Sequence, residues 1–203
     1  MSQAPRALIV GGSLAGLSAA AWLARAGFAV DVLERSAGPL RDSGAGIVLH
    51  PATSRFLTEH EGLPLDALGL GVRWLRYIGA DGEVAAESPC GLRFSSYGVL
   101  HRRLREAAER HGARHRSGTE VVSVGSDGTG AWADLASGER VRGAIVVGAD
   151  GVRSTVRRQL FPHVRPAWSG YVAWRGVVDE AFLEPAVAAP LAGAITYHIL
   201  DRG

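Results

Sequence analysis

Lysine does not occur in this 203-residue chain: every one of its 22 cationic side chains is arginine. That absence excludes a P-loop lysine, a Schiff-base lysine and pyridoxal phosphate chemistry. Cysteine is almost as scarce. Cys90 stands alone, so no internal disulfide can form, which agrees with a reducing cytoplasm. No apolar run approaches the roughly 20 residues needed to span a bilayer, and the stretch from Ala186 to Ile195 is broken by Pro190. Ala7 to Val10 is too short for a secretory apolar region and serves better as a first strand. Charge of one sign is also lacking, since the net charge is only +2 although the isoelectric point is about 9.1. The arginines are scattered among acids rather than gathered into a stripe with interleaved aromatics, so the electrostatic footprint of a nucleic-acid binder is missing. The 7 histidines show no metal-ligand spacing with acids or cysteines, and no metal site is expected. No nucleophile elbow and no Ser/His/Asp arrangement is present either.

What remains is a hydrophobic content of 47% and a mean hydropathy of +0.09, enough for a substantial core in one large domain or one and a half. The opening run Ala7-Leu-Ile-Val-Gly11-Gly-Ser-Leu-Ala-Gly16 and the later Val30-Asp-Val-Leu-Glu34-Arg35 predict a strand, a glycine turn, a helix and a second strand ending in a carboxylate. That layout binds the pyrophosphate and ribose of an adenine dinucleotide. Gly11 makes the tight turn, Gly16 allows close helix packing, and the helix N-terminus offers its free N–H groups and positive dipole end to the phosphates. Glu34 lies 18 residues beyond Gly16, placed to accept hydrogen bonds from ribose hydroxyls. The second glycine of the G-x-G-x-x-G pattern is Ser13 here; its hydroxyl is able to donate to a phosphate oxygen instead.

A second cluster, Gly148-Ala-Asp150-Gly151-Val-Arg153-Ser154, follows the apolar run Ala144 to Val147. The run predicts a strand buried on both faces of a parallel sheet. Asp150 at its carboxyl end either meets a ligand crossing the sheet edge or, with Ser154, caps the following helix. Between the clusters come a glycine-rich loop, Arg41 to Gly46, a helix over about 52–61, and a hairpin over about 72–87 turning at Ala80-Asp-Gly82. An amphipathic helix is expected from Arg102 to His111, then strands over 120–124 and 131–135. Arg102 and Arg103 in a first turn would oppose the helix macrodipole at a cost of about 0.3–1 kcal/mol. A nearby pyrophosphate would remove that conflict, and so would simple solvation. His50 either faces a bound ring or bonds to its own loop. Beyond residue 163 aromatics become dense, and longer strands are expected over 171–178 and 194–200.

Together Gly11 to Gly16, Glu34-Arg35, the Gly44-Ala-Gly46-Ile loop, His101-Arg102 and Gly148 to Ser154 resemble the FAD-dependent aromatic hydroxylases, the single-component flavoprotein monooxygenases. Tyr171-Val-Ala-Trp-Arg175-Gly-Val-Val is similar to the 2,6-dihydroxypyridine 3-monooxygenase branch. The resemblance implies an α/β fold: a Rossmann-like FAD-binding domain with a parallel sheet, over 1–72 and 98–162, interleaved with a partial α+β substrate domain of mixed or antiparallel sheet, over 73–97 and 163–203. It implies that Gly11, Gly12, Ser13, Leu14, Ala15 and Gly16 cradle the FAD pyrophosphate, that Glu34, with Arg35 beside it, holds the adenosine ribose, and that Arg102 contacts phosphate or ribitol. Asp150 and Gly151 would belong to a motif serving both FAD and the reduced nicotinamide. The implied reaction uses NADH or NADPH to reduce the flavin, which with O2 forms a C4a-hydroperoxide that hydroxylates an electron-rich aromatic or pyridine-like ring. No catalytic side chain is assigned, the implied location is cytoplasmic, and a homodimer stays open.

The family's third motif, a Gly-Asp dipeptide after the substrate sheet, has no counterpart after residue 163. The chain is therefore expected to be the N-terminal part of a longer enzyme. Two rivals stand beside the hydroxylase: a truncated FAD-binding module without turnover, and an NAD-dependent dehydrogenase using the same first motif. The second cluster and the lack of a proton-transfer residue near a nicotinamide site disfavour the dehydrogenase.

Overall fold

The computed structural model describes residues 4–38, 40, 46–174, 176 and 178–198. Strand β1 (Arg6–Val10), helix α1 (Leu14–Arg25) and strand β2 (Ala29–Leu33) form the opening unit. Next come β3 (Gly46–Leu49), α2 (Pro51–Arg55) running on into a single π-helical turn (Phe56–His60), β4 (Leu70–Gly71), β5 (Trp74–Ile78), β6 (Val84–Pro89) and β7 (Arg93–Ser96). Then follow α3 (Tyr97–Arg110), β8 (Arg114–Arg116), β9 (Val121–Asp127), β10 (Gly130–Leu135), β11 (Arg140–Gly143), β12 (Ile145–Gly148) and α4 (Thr155–Leu160). Helix α5 (Pro185–Leu191) and β13 (Ala194–His198) come last.

The aliphatic, β-branched strands β1 and β2 are central in a parallel sheet of order β12-β1-β2-β8. Alternation along β1 divides its side chains between two cores. Ala7 and Ile9, with Val30 and Val32 of β2, pack against Leu17, Ala20 and Ala21 of α1 and Leu100, Leu104 and Ala107 of α3. Leu8, Val10 and Leu33 face the antiparallel sheet β9–β11 through Val121, Val124, Ala133, Leu135 and Val141. The result is helices, parallel sheet and antiparallel sheet in three layers, with α1 supplying alanines that let α3 approach it closely. Leu8, Ile9, Leu17 and Leu33 are each at most 1% exposed, and full burial of such a side chain stabilises by about 1.5–3 kcal/mol.

Asp31 is the exception on the second face. It is 1% exposed, and its carboxylate accepts from Arg6 Nε at 2.6 Å and Arg114 Nε at 2.8 Å. Two guanidiniums thus neutralise a charge that the layer would otherwise reject.

Several expectations are revised. The apolar run at 144–147 forms β12, but β12 is the edge of its sheet, and Ile145 is 42% exposed rather than buried on both faces. The helix expected from Arg102 begins at Tyr97, because the Ser96 hydroxyl caps it by accepting from Val99 N–H at 3.2 Å. Arg102 and Arg103 therefore stand in the second turn, where the macrodipole conflict has faded. The hairpin near 72–87 is found as β5 and β6, joined in parallel to β13. No strand runs through the described residues of 171–178, whereas the expected strand near 194 is present as β13. Among the described residues no helix is long and apolar enough to cross a membrane, and no group of acids, histidines and cysteine is arranged to hold a metal.

Candidate functional site

The turn between β1 and α1 is shaped by three glycines with different duties. Gly11 has φ +104°, in the left-handed region, and a β-carbon there would overlap the carbonyl oxygen of Ala149. The two glycine clusters therefore touch through their backbones, an approach closed to any other residue. Gly16 lies beneath, where a β-carbon would overlap the Gly11 carbonyl oxygen. At Gly12 a β-carbon would lie 2.7 Å from His115 Nε2 and 3.0 Å from Glu34 Cβ. The hydrogen bonds Gly11 N–H to Leu33 O at 2.9 Å and Ala149 N–H to Val10 O at 2.8 Å hold both loops at the carboxyl ends of β1, β2 and β12.

A cleft of about 280 Å³ opens between these loops. Gly11, Ser13, Glu34, Arg35, Asp150 and Gly151 all line it, as do Tyr97, Thr119, Val121 and Arg153. Six of the eleven residues expected from sequence are thus brought together. Gly12 and Gly16 support the turn from behind and below. Leu14 and Ala15 face a separate apolar groove beside Trp22, Ile47 and Phe56. Arg102 is exposed and does not line the cleft. Gly44 and Ala45 of the glycine loop lie outside the described residues, while Gly46 opens β3.

Glu34 is 7% exposed, and its carboxylate accepts from Gly12 N–H at 2.7 Å and Ser36 N–H at 2.8 Å. Burial pushes its pKa up, but the N–H groups of Ser36 and Gly12 outweigh burial and hold the carboxyl below its ordinary range. Each oxygen keeps a further lone pair for a ligand hydroxyl. Asp150 does what the capping reading required. It accepts from Ser154 Oγ at 2.5 Å, Thr155 N–H at 2.6 Å and Val156 N–H at 3.2 Å, satisfying the start of α4. Ser154 Oγ in turn accepts from Arg157 N–H at 2.8 Å. His50 likewise bonds locally, its Nδ1 accepting from Ala52 N–H at 3.2 Å.

Ser13 is expected from sequence to offer its hydroxyl to a phosphate, yet here that hydroxyl pairs with Tyr97 OH at 2.8 Å. Tyr97 escapes the sequence reading because the helix is expected five residues too late. The signal was present in Ser96, a capping residue three places before Val99.

A pyrophosphate-bearing dinucleotide suits these residues. The backbone at Gly11 is bare, the amino end of the 12-residue α1 is directed at the turn, Arg35 and Arg153 bring cations to the rim, and Glu34 is held ionised.

Comparison with known proteins agrees. The chain is 34% identical over 199 residues to the 2,6-dihydroxypyridine 3-monooxygenase of Paenarthrobacter nicotinovorans, covering 98% of this chain and 49% of that protein. It is 34% identical over 194 residues to 3-hydroxybenzoate 6-hydroxylase 1 of Aquipseudomonas alcaligenes, covering 84% and 46%. The solved structure of 2,6-dihydroxypyridine-3-hydroxylase from Arthrobacter nicotinovorans matches with a TM-score of 0.86 at 33% identity, over 99% of this chain and 50% of that one. The chain spans about half the length of the relatives it matches. A family model described as an FAD binding domain matches residues 5–198, and to that FAD-binding family this chain belongs.

Proposed function

We propose that the chain is the FAD-binding portion of an NAD(P)H-driven monooxygenase that hydroxylates an electron-rich aromatic or pyridine-like ring with O2. The observation that carries this reading is the backbone contact of Gly11 with Ala149, which brings both expected cofactor motifs to one cleft. Its relatives include enzymes named for hydroxylating a dihydroxypyridine and a hydroxybenzoate.

In this reading Gly11, Gly12, Ser13 and Gly16 give the pyrophosphate a close backbone, and the amino end of α1 stabilises its charge. Glu34 accepts from the ribose hydroxyls while keeping its bonds to Gly12 and Ser36, and Arg35 and Arg153 flank the anionic stretch. Asp150 holds the α4 loop so that Gly151 meets the ligand edge. Leu14, Ala15 and Arg102 stand outside the cleft, and the contact proposed for Arg102 passes to Tyr97. Bound flavin would supply the redox and oxygen chemistry. The division into an FAD-binding part, 1–72 and 98–162, and a second sheet, 73–97 and 163–203, is supported by the pairing of β13 with β5.

A second reading is an FAD-binding chain that does not itself hydroxylate. It is favoured by Trp174, 95% exposed, and Phe182, 83% exposed, because large aromatic side chains left uncovered are typical of surface that packs against a partner. The visible spectrum of the purified chain after exposure to FAD tests both. Retained flavin absorbance supports the cofactor assignment, and a colourless protein that takes up no FAD overturns it. NAD(P)H oxidation with phenols and hydroxypyridines then separates the readings: a hydroxylated product supports the monooxygenase, while oxygen consumed only as hydrogen peroxide supports the binding chain.

A further inference from the structure

Tyr97 and His101 lie four residues apart on one face of α3. Their rings stack at 5.6 Å with 24° between planes. Both reach the dinucleotide turn: Tyr97 OH meets Ser13 Oγ at 2.8 Å, and His101 Nε2 meets the Gly12 carbonyl oxygen at 3.0 Å. A carbonyl oxygen only accepts, so His101 Nε2 carries the proton and donates. His101 is 5% exposed, and this bond is shielded from competing water. The N–H of the same Gly12 donates to Glu34 Oε2 at 2.7 Å. Gly12 is thereby held from both sides, by a helix and by the acid that follows β2.

The orientation has a consequence for the next residue. A trans peptide is planar, with its C=O and N–H pointing in opposite directions. With the Gly12 carbonyl turned toward α3, the Ser13 N–H points away from α3, at the amino end of α1. Gly12, lacking a side chain, has the widest freedom to rotate this peptide, so an external anchor is needed.

We infer that His101 is a positioning residue: its Nε2–H bond fixes the direction of the Gly12–Ser13 peptide and so aims the Ser13 N–H for an anionic ligand. The identity of that ligand rests on the proposed function, but the orientation of the peptide does not.

The test compares His101→Leu, which fills the space without a donor, with His101→Gln, whose amide nitrogen replaces the donor. Two quantities are measured: the amide chemical shifts of Gly12 and Ser13 in the ligand-free chain, and the Kd for FAD and for ADP. The expected result is that H101L moves both amide signals and weakens binding roughly tenfold, the equivalent of one well-made hydrogen bond, and that H101Q returns both toward the original values. Unmoved amide signals in H101L overturn the inference, as does H101Q weakening binding as much as H101L. Should H101L not fold, nitrogen NMR of the unmodified chain decides: an Nε2–H tautomer at His101 supports the inference and an Nδ1–H tautomer overturns it. An unmodified chain that binds neither FAD nor ADP removes the proposed function alone, since the amide signals still judge the role of His101.

Discussion

A β-carbon on Gly16 would overlap the Gly11 carbonyl oxygen. The helix thus sits on the turn with no room for a methyl group, and the atom in the way is backbone, which cannot swing aside. Gly16→Ala is expected to destabilise the chain by about 3 kcal/mol or more, read as a lowered urea midpoint, with loss of FAD uptake. Gly38→Ala, at an exposed site with open space around it, is expected to stay within about 0.5 kcal/mol of the original. Equal effects from the two substitutions would show that the turn relaxes.

Asp150 both lines the cleft and caps α4, and the two duties separate by mutation. Asp150→Ala removes acceptors for Ser154, Thr155 and Val156 and is expected to cost about 1–2 kcal/mol. Ser154→Ala disturbs the same cap through Arg157 and removes one donor to Asp150, but leaves the cleft-lining carboxylate itself in place. If D150A weakens ADP binding more than S154A at matched stability, Asp150 serves the ligand; matched losses of affinity assign it to the cap alone.

Two groups near the turn make stability depend on pH in separate windows. His115 has its pKa lowered from 6.5, first by burial and next by the charge of Arg105, against the opposing pull of Glu109 and Glu34. Its stabilising effect is complete above the unfolded value and is lost as pH falls through 6.5 toward the lower folded value, because the unfolded chain takes up the proton more readily. Glu34, lowered from 4.5, contributes above that value and fails only at more acid pH. The urea midpoint is expected to fall as pH drops from neutrality through 6.5, and His115→Gln to flatten that decline while leaving the steeper acid one. The exposed Asp127 and the half-buried Asp134, each held to about 2, titrate later still and do not mask either step.

The pairing of Asp31 with Arg6 and Arg114 calls for a double mutant. Replacing Arg114 alone with Met leaves the Arg6 guanidinium beside the carboxylate and is expected to have a small effect, since the Arg114 side chain is 69% exposed. Replacing both arginines strands a charge that is 1% exposed, at an expected cost of about 3–5 kcal/mol. Denaturation of the singles and the double measures the coupling, and simple additivity would contradict it.

Much of this was legible along the chain because it is local. The glycines of the turn, the helix-forming run Leu14 to Arg25 and the acid after β2 lie within 35 residues of the amino terminus, and each obeys its own short-range rule. The start of α3 is hidden for an equally local reason: the arginine-rich stretch at 102–110 dominates its periodicity and masks the cap at Ser96. The edge status of β12 was not legible at all. An apolar run reports how well a strand packs and says nothing of how many neighbours it has.

The sequence by itself determined the kind of ligand, since bare backbone at Gly11, a helix start and a carboxylate at a set interval answer to bond geometry within one βαβ unit. Only the tertiary structure decided which residues share the cleft. Tyr97 enters it, Arg102 leaves it, and His101 grips Gly12 across 89 residues of chain, because distance along a polypeptide carries no information about approach in space until the layers pack.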